Sequence, residues 1–163
     1  ENSERRFELI YGEIVEKVPT QKHGIITGNI VTELNLYLRQ NPIGYAAVEV
    51  RHRPAGDSDN DRLPDVSFIA DRSEPIIEEG AVEKMPDLAI EVKSPTDSYK
   101  KMVDKAEFYL ANGSRMVWLF YPEKRLIEVL TLDDRQLLGE DDELDGGDVL
   151  PGFKAKVKIF FPD

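Results

Sequence analysis

Residues 87–93 of the chain read DLAIEVK, and they alternate as a β-strand does. Because successive side chains of a strand point to opposite faces, the larger aliphatic residues Leu88, Ile90 and Val92 share one face. Glu91 and Lys93 share the other face with Asp87 and Ala89. A rise of about 3.3 Å per residue places Glu91 and Lys93 roughly 7 Å apart. This spacing suits a carboxylate that binds a metal ion beside an ammonium group that orients or deprotonates a water molecule.

A divalent cation needs a second carboxylate, and Asp65 is the candidate. It begins a predicted strand, 65–70, so pairing of that strand with 87–93 would bring Asp65 close to Glu91. Magnesium commonly takes one or two protein carboxylates and completes its shell with water and phosphate oxygens. We therefore expect a site for Mg²⁺ or Mn²⁺ at Asp65 and Glu91, with the Val92 carbonyl as a further ligand.

The rest of the chain predicts an α/β (α+β) fold, in which helices cover a mixed sheet and a β-hairpin precedes them. Apolar residues recur every four positions in 22–40, which indicates a helix capped by Thr20. A second helix over 98–111 is capped by Asp97 or Ser98. The predicted strands are 7–11, 14–18, 45–53, 65–70, 87–93, 116–121, 125–132 and 154–160. With 163 residues, the whole chain 1–163 is expected to form one domain.

Composition limits the classes of function. The net charge is −11, and residues 133–148 hold eight acidic side chains against one arginine, which predicts a solvated loop there. Proteins that bind nucleic acid usually carry a basic surface, so a phosphate contact must come from a local patch and a bound metal ion. The chain has no cysteine and no apolar run of the roughly 20 residues that a membrane helix needs, so we expect a cytoplasmic protein.

The motifs together resemble a known family of nucleases. Pro64-Asp65 followed by Glu91-Val92-Lys93 is the PD-(D/E)xK signature of restriction-endonuclease-like enzymes. The surrounding segments, which are 8–13, 23–24, 62–66, 86–95, 105–109 and 118–120, resemble the Uma-type endonucleases. The resemblance covers about residues 7–132. It implies a restriction-endonuclease-like αβββαβ core, dependence on a divalent metal ion and a homodimer. Our favoured hypothesis is a magnesium-dependent endonuclease that hydrolyses phosphodiester bonds in DNA.

The resemblance also implies roles for individual residues. Asp65 and Glu91 match the metal ligands, and Lys93 matches the catalytic lysine. Lys105, on the second helix, matches a lysine that replaces it in members without the first one, so the sequence leaves both candidates open. His23 matches a recurrent position and is a further catalytic candidate.

Other interpretations of the same residues remain open at this stage. Lys105 also fits a lysine whose stem covers the core, and His23 fits an ordinary polar residue of a first helical turn. Glu33 and Glu49 are weaker candidates for completing the metal shell. The acidic charge motivates a second hypothesis for the whole protein: a binding or regulatory module that has kept the fold and lost catalysis. A hydrolase of another kind, with His23 as its base, is the least favoured hypothesis.

Overall fold

The computed structural model describes residues 5–163, and its centre is a six-stranded mixed sheet. The strands lie in the order β3-β4-β5-β6-β7-β8, and two further pairs of strands form small antiparallel sheets, β1 with β2 and β9 with β10. The elements are β1 (Arg6–Ile10), β2 (Glu13–Lys17), α1 (Gln21–Gln40), β3 (Gly44–Val48), β4 (Val66–Ala70), β5 (Leu88–Val92), α2 (Tyr99–Ala111), β6 (Met116–Tyr121), β7 (Leu126–Leu130), β8 (Arg135–Leu138), β9 (Glu143–Asp145), β10 (Lys154–Lys156) and a 3₁₀ helix (Val157–Phe160).

β5 and β6 are parallel, whereas the other neighbours in the large sheet are antiparallel. Parallel strands need a crossover connection, and α2 provides it. The helix packs on one face of the sheet, against Ala89, Val117 and Leu119. α1 covers the opposite face, together with the segment from Leu144 to Phe161. The central strands are therefore buried on both sides, which explains why every residue of β5 and β6 is buried.

The N-terminal hairpin is fixed to the loop that precedes β4. Leu9 and Asp61 exchange two backbone hydrogen bonds of 2.9 Å, and the Glu8 carboxylate accepts a hydrogen bond from the Leu63 backbone N–H at 2.9 Å. The buried Arg62 guanidinium lies 3.7 Å from the centre of the Phe108 ring on α2. These contacts place the hairpin beside α2, on the face of the sheet where Glu91 lies.

The predicted fold class is confirmed, with its mixed sheet, flanking helices and N-terminal hairpin. Thr20 caps α1 by accepting a hydrogen bond from the His23 backbone N–H, and Ser98 caps α2 in the same way from Lys101. Neither helix in the described residues combines the length and the apolar character that a bilayer crossing requires.

The prediction and the structure differ most in three segments. The strand predicted over 45–53 ends at Val48, because Glu49 has a φ of 51° and turns the chain out of the sheet. The acidic segment 133–148 contains β8 and β9 instead of one long loop. β8 is an edge strand with mostly exposed side chains, so it shows no apolar alternation. The last predicted strand, 154–160, changes to a 3₁₀ helix after Lys156.

Candidate active site

Asp65 and Glu91 are brought together by the pairing of β4 and β5. Val66 lies opposite Ile90 in this antiparallel pair, so one further step of the same register places Asp65 opposite Glu91. The Asp65 side chain is 1% exposed, and its Oδ2 accepts a hydrogen bond of 2.7 Å from the Val92 backbone N–H. The two carboxylates are therefore positioned by the pairing of β4 with β5, in the buried centre of the sheet.

Two basic side chains surround the Asp65 carboxylate. Lys17 Nζ lies 2.8 Å from Oδ1, and His23 Nε2 lies 3.2 Å from Oδ2. Burial raises the pKa of Asp65, but the hydrogen bond from His23 and the charge of Lys17 outweigh it and hold that pKa well below its usual range. Burial on its own would lower the pKa of His23, but the hydrogen bond to Asp65 outweighs burial and raises that pKa above the ordinary value. Asp65 is therefore ionised at neutral pH.

The pKa of Glu91 is displaced in the opposite direction from that of Asp65. Its Oε1 accepts a hydrogen bond of 2.8 Å from the Tyr109 hydroxyl, and its Oε2 lies 3.8 Å from Lys105 Nζ. Burial raises the pKa of Glu91 to about 7, although the charges of Lys105 and Lys17 favour the ionised form. Two neighbouring carboxyl groups with pKa values displaced in opposite directions are typical of catalytic sites.

Lys105 is buried in the cluster and does not merely cover the core. Its Nζ lies 3.0 Å from Glu8 Oε2 as well as near Glu91. Burial on its own would lower the pKa of Lys105, but the charges of Glu91 and Glu8 raise it by a larger amount. The pKa of Lys105 therefore lies above its usual value. Lys105 is therefore a cation at neutral pH, held between two acidic side chains.

Lys93 lies apart from this cluster. β5 ends at Val92, and the Lys93 ammonium donates to the carbonyl of Ser94 at 3.3 Å, where the chain turns towards α2. The structure thus brings Asp65, Glu91, His23 and Lys105 together, and it places Lys93 at the edge of the group.

Sequence reasoning missed Glu8 and Lys17. Both come from the hairpin, whose docking depends on contacts between residues far apart along the chain. Glu8 carried one weak signal, an acidic side chain between Phe7 and Leu9, whereas nothing in the pattern around Lys17 marks it.

The cluster encloses a cavity of about 40 Å³. Its lining includes Glu8, Lys17, His23, Glu49, Asp65, Glu91, Val92 and Lys105. This volume can hold an ion or water but no larger ligand. Glu49 also forms an ion pair of 2.7 Å with Arg6, whereas Glu33, the other acidic candidate, is absent from the lining.

The donor atoms available here are oxygens, which is what a hard divalent cation requires. Among residues 5–163, however, no three acidic or histidine side chains converge as a preformed metal site. Lys17 and His23 occupy the cation positions next to Asp65. The carboxylates therefore fit Mg²⁺ in chemistry, and an ion at Asp65 Oδ1 would have to replace the ammonium group of Lys17.

A second cavity, of about 420 Å³, adjoins the cluster. His23 and Ser94 line both cavities, and Lys93 lines only the larger one. The cluster therefore lies next to a space that can hold an organic ligand.

Comparisons with known proteins agree on a nuclease fold. The model of the Uma2 family, described as "Putative restriction endonuclease", matches residues 1–158. The chain is also similar in structure to a putative nuclease belonging to DUF820 from Anabaena variabilis ATCC 29413, with a TM-score of 0.81 and 24% sequence identity over 94% of this chain and 88% of that one. At this identity the likeness shows the fold alone. No curated protein matches the sequence.

Proposed function

This chain belongs to the Uma2 family, and we propose on that basis that it is a metal-dependent nuclease that hydrolyses phosphodiester bonds in DNA. The observation that supports the proposal best is the pair of buried carboxylates, Asp65 and Glu91, set side by side by β4 and β5. A buried carboxylate pair is costly to maintain, and a catalytic role accounts for it.

In this proposal Asp65, Glu91 and the Val92 carbonyl would hold Mg²⁺ or Mn²⁺. When bound, the ion supplies an acidified water and stabilises the charge that grows on phosphorus. The backbone N–H of Val92 fixes the orientation of Asp65 through its 2.7 Å hydrogen bond. The Tyr109 hydroxyl does the same for Glu91 at 2.8 Å.

The geometry favours Lys105 over Lys93 as the lysine at the reacting atoms. Lys105 Nζ lies 3.8 Å from Glu91 Oε2, so it can orient the attacking water or neutralise developing charge beside that carboxylate. Lys93 lines the adjoining larger cavity, where an ammonium group is suited to holding a phosphate of the bound strand. His23 is in contact with Asp65 and is a positioning residue in this scheme.

The proposal includes a single catalytic domain, action in the cytoplasm and a homodimer. The oligomeric state is open to a direct measurement by light scattering at two protein concentrations. Dimers at both concentrations support this part of the proposal, and monomers at both contradict it.

A binding or regulatory module on the same fold is the second candidate. The ion pairs that Lys17 and His23 form with Asp65 favour it, because they neutralise this carboxylate without a metal ion. The acidic net charge of −11 points the same way.

Thermal melting with magnesium and manganese separates the two candidates. Ligand binding to the folded state adds RT ln(1 + [L]/Kd) to stability, or about 1.4 kcal/mol at ten times Kd. For a nuclease we expect a rise in Tm for the wild type that is lost in Glu91→Gln and kept in Glu78→Gln, an exposed control. Cleavage of plasmid DNA or of single-stranded DNA should show the same pattern. If Glu91→Gln cuts DNA as fast as the wild type, the proposed site is wrong.

A further inference from the structure

The larger cavity next to the carboxylate cluster has the dimensions and the walls of a ligand site. Its volume of about 420 Å³ lies within the range of small-molecule pockets, roughly 300–1,000 Å³. Aromatic and aliphatic side chains form much of its surface, and they include Tyr99, Tyr121, Leu126 and Leu137. The two tyrosine rings lie side by side, with their centroids 5.8 Å apart and a tilt of 33°. Tyr99 is nevertheless 54% exposed, so its ring is accessible for stacking.

Polar groups in this wall are available to a ligand. The Tyr121 side chain is 7% exposed, yet its hydroxyl has no hydrogen-bond partner among residues 5–163. The Glu128 carboxylate lies beside this hydroxyl, so the hydroxyl can bond either that carboxylate or a polar group of a ligand. Glu128, 3% exposed, adds a carboxylate that Tyr99 and Arg135 hold in place at 3.2 Å and 2.5 Å.

The same cavity carries a local group of basic residues in an acidic protein. Lys22, Lys93 and Lys124 all line it, and Lys22 and Lys124 are exposed. The acidic side chains of the lining are Glu123 and Glu128. Flat apolar walls beside ammonium groups suit a ligand that has an aromatic ring and a phosphate. Sites for single-stranded nucleic acid combine these features, since bases stack on aromatic side chains and lysines follow the backbone.

The position of the cavity connects it with the proposed chemistry. His23 and Ser94 line both cavities, so a nucleotide bound in the larger one would lie next to the cluster that contains Asp65 and Glu91. A base inside a duplex is stacked and paired and cannot enter such a pocket unless it is extruded. We propose that the cavity formed by Tyr99, Tyr121 and the neighbouring lysines binds an unpaired nucleobase, and that the substrate of the cluster is single-stranded nucleic acid. This inference rests on the proposed nuclease function.

Binding without metal tests the inference separately from cleavage. Fluorescence anisotropy in EDTA compares a short labelled DNA strand with its duplex, on the intact wild-type protein. We expect the single strand to bind at least about tenfold more tightly than the duplex.

The variant Tyr99→Ala removes the accessible ring. Stacking on one aromatic side chain commonly changes affinity by about tenfold or more. We expect a loss of this size for Tyr99→Ala and little change for Tyr99→Phe, which keeps the ring. Tyr45→Ala, on the edge strand β3, is the matched control because Tyr45 is also partly exposed and is not part of the cavity lining.

Failure of this inference and failure of the proposed function give different results. Equal binding of strand and duplex, no binding of either, or no effect of Tyr99→Ala would overturn the base site, even if metal-dependent cleavage is observed. Conversely, selective binding that depends on Tyr99, in a protein that never cleaves DNA, would keep the base site and reject the nuclease.

Discussion

Lys17 Nζ donates a 2.8 Å hydrogen bond to Asp65 Oδ1, and so places an ammonium group on the carboxylate that the sequence assigns to a metal ion. The same ammonium also donates to the Leu63 carbonyl at 2.5 Å. Burial lowers the pKa of Lys17, but the charges of Glu91 and Asp65 raise it more, so it stays protonated. A cation at Oδ1 and the Lys17 ammonium therefore compete for one position.

Replacement of Lys17 should strengthen metal binding. In Lys17→Met the competing charge is removed, and like charges this close repel by several kcal/mol even at an effective dielectric constant of about 20. We expect the Mg²⁺ concentration that gives half of the maximal Tm rise to fall by roughly tenfold. Lys154→Met, an exposed substitution in β10, is the control. A higher Mg²⁺ requirement in Lys17→Met would mean that Lys17 organises the site and does not compete with the ion.

The two candidate lysines should affect different kinetic parameters. Lys105→Met removes a charge beside Glu91, so we expect kcat to fall by about a hundredfold or more. Lys93→Met removes a charge from the larger cavity, so KM for DNA should rise several-fold while kcat changes little. Steady-state cleavage kinetics measure both effects. The reverse pattern would assign the chemistry to Lys93, as the PD-(D/E)xK signature alone predicts.

Glu8 should be important for stability. Its carboxylate accepts from the Leu63 N–H and pairs with Lys105, and both groups are buried. Removal of one partner of a buried ion pair typically costs about 3–5 kcal/mol. We expect Glu8→Ala to lower the free energy of unfolding by about 3 kcal/mol in urea, and Glu8→Gln to cost less because its amide oxygen can still accept from Leu63. Glu13→Ala, exposed on the same hairpin, should change stability by less than about 0.5 kcal/mol. Equal effects of Glu8→Ala and Glu13→Ala would contradict this role.

The half of the site that depends on local patterns could be predicted from the sequence. Alternation in DLAIEVK defines β5, and antiparallel pairing with β4 then brings Asp65 opposite Glu91. The half that depends on the hairpin could not, because Glu8 and Lys105 are 97 residues apart and their contact follows from how the hairpin docks. Lys93 shows the limit of the strand rule. Its face could be assigned only if β5 continued, and the strand ends one residue earlier.

A buried histidine outside the site makes stability depend on pH in a defined window. His52 is 0% exposed, with Nδ1 3.1 Å from the Lys84 carbonyl and Nε2 3.2 Å from Ser67 Oγ. Burial lowers the pKa of His52 from 6.5 to about 4. Between these two values the unfolded chain binds a proton that the folded protein does not, so stability falls as the pH falls from 6.5 towards 4.

The difference between wild type and His52→Gln isolates this contribution, because glutamine does not titrate. From about pH 7.5 to about pH 4.5, the wild type should lose roughly 2–3 kcal/mol more than His52→Gln in urea unfolding. Other groups, such as Glu91 with its raised pKa, titrate in both proteins and cancel in the comparison. Parallel pH profiles for the two proteins would mean that protonated His52 is accommodated in the folded state, contrary to its burial.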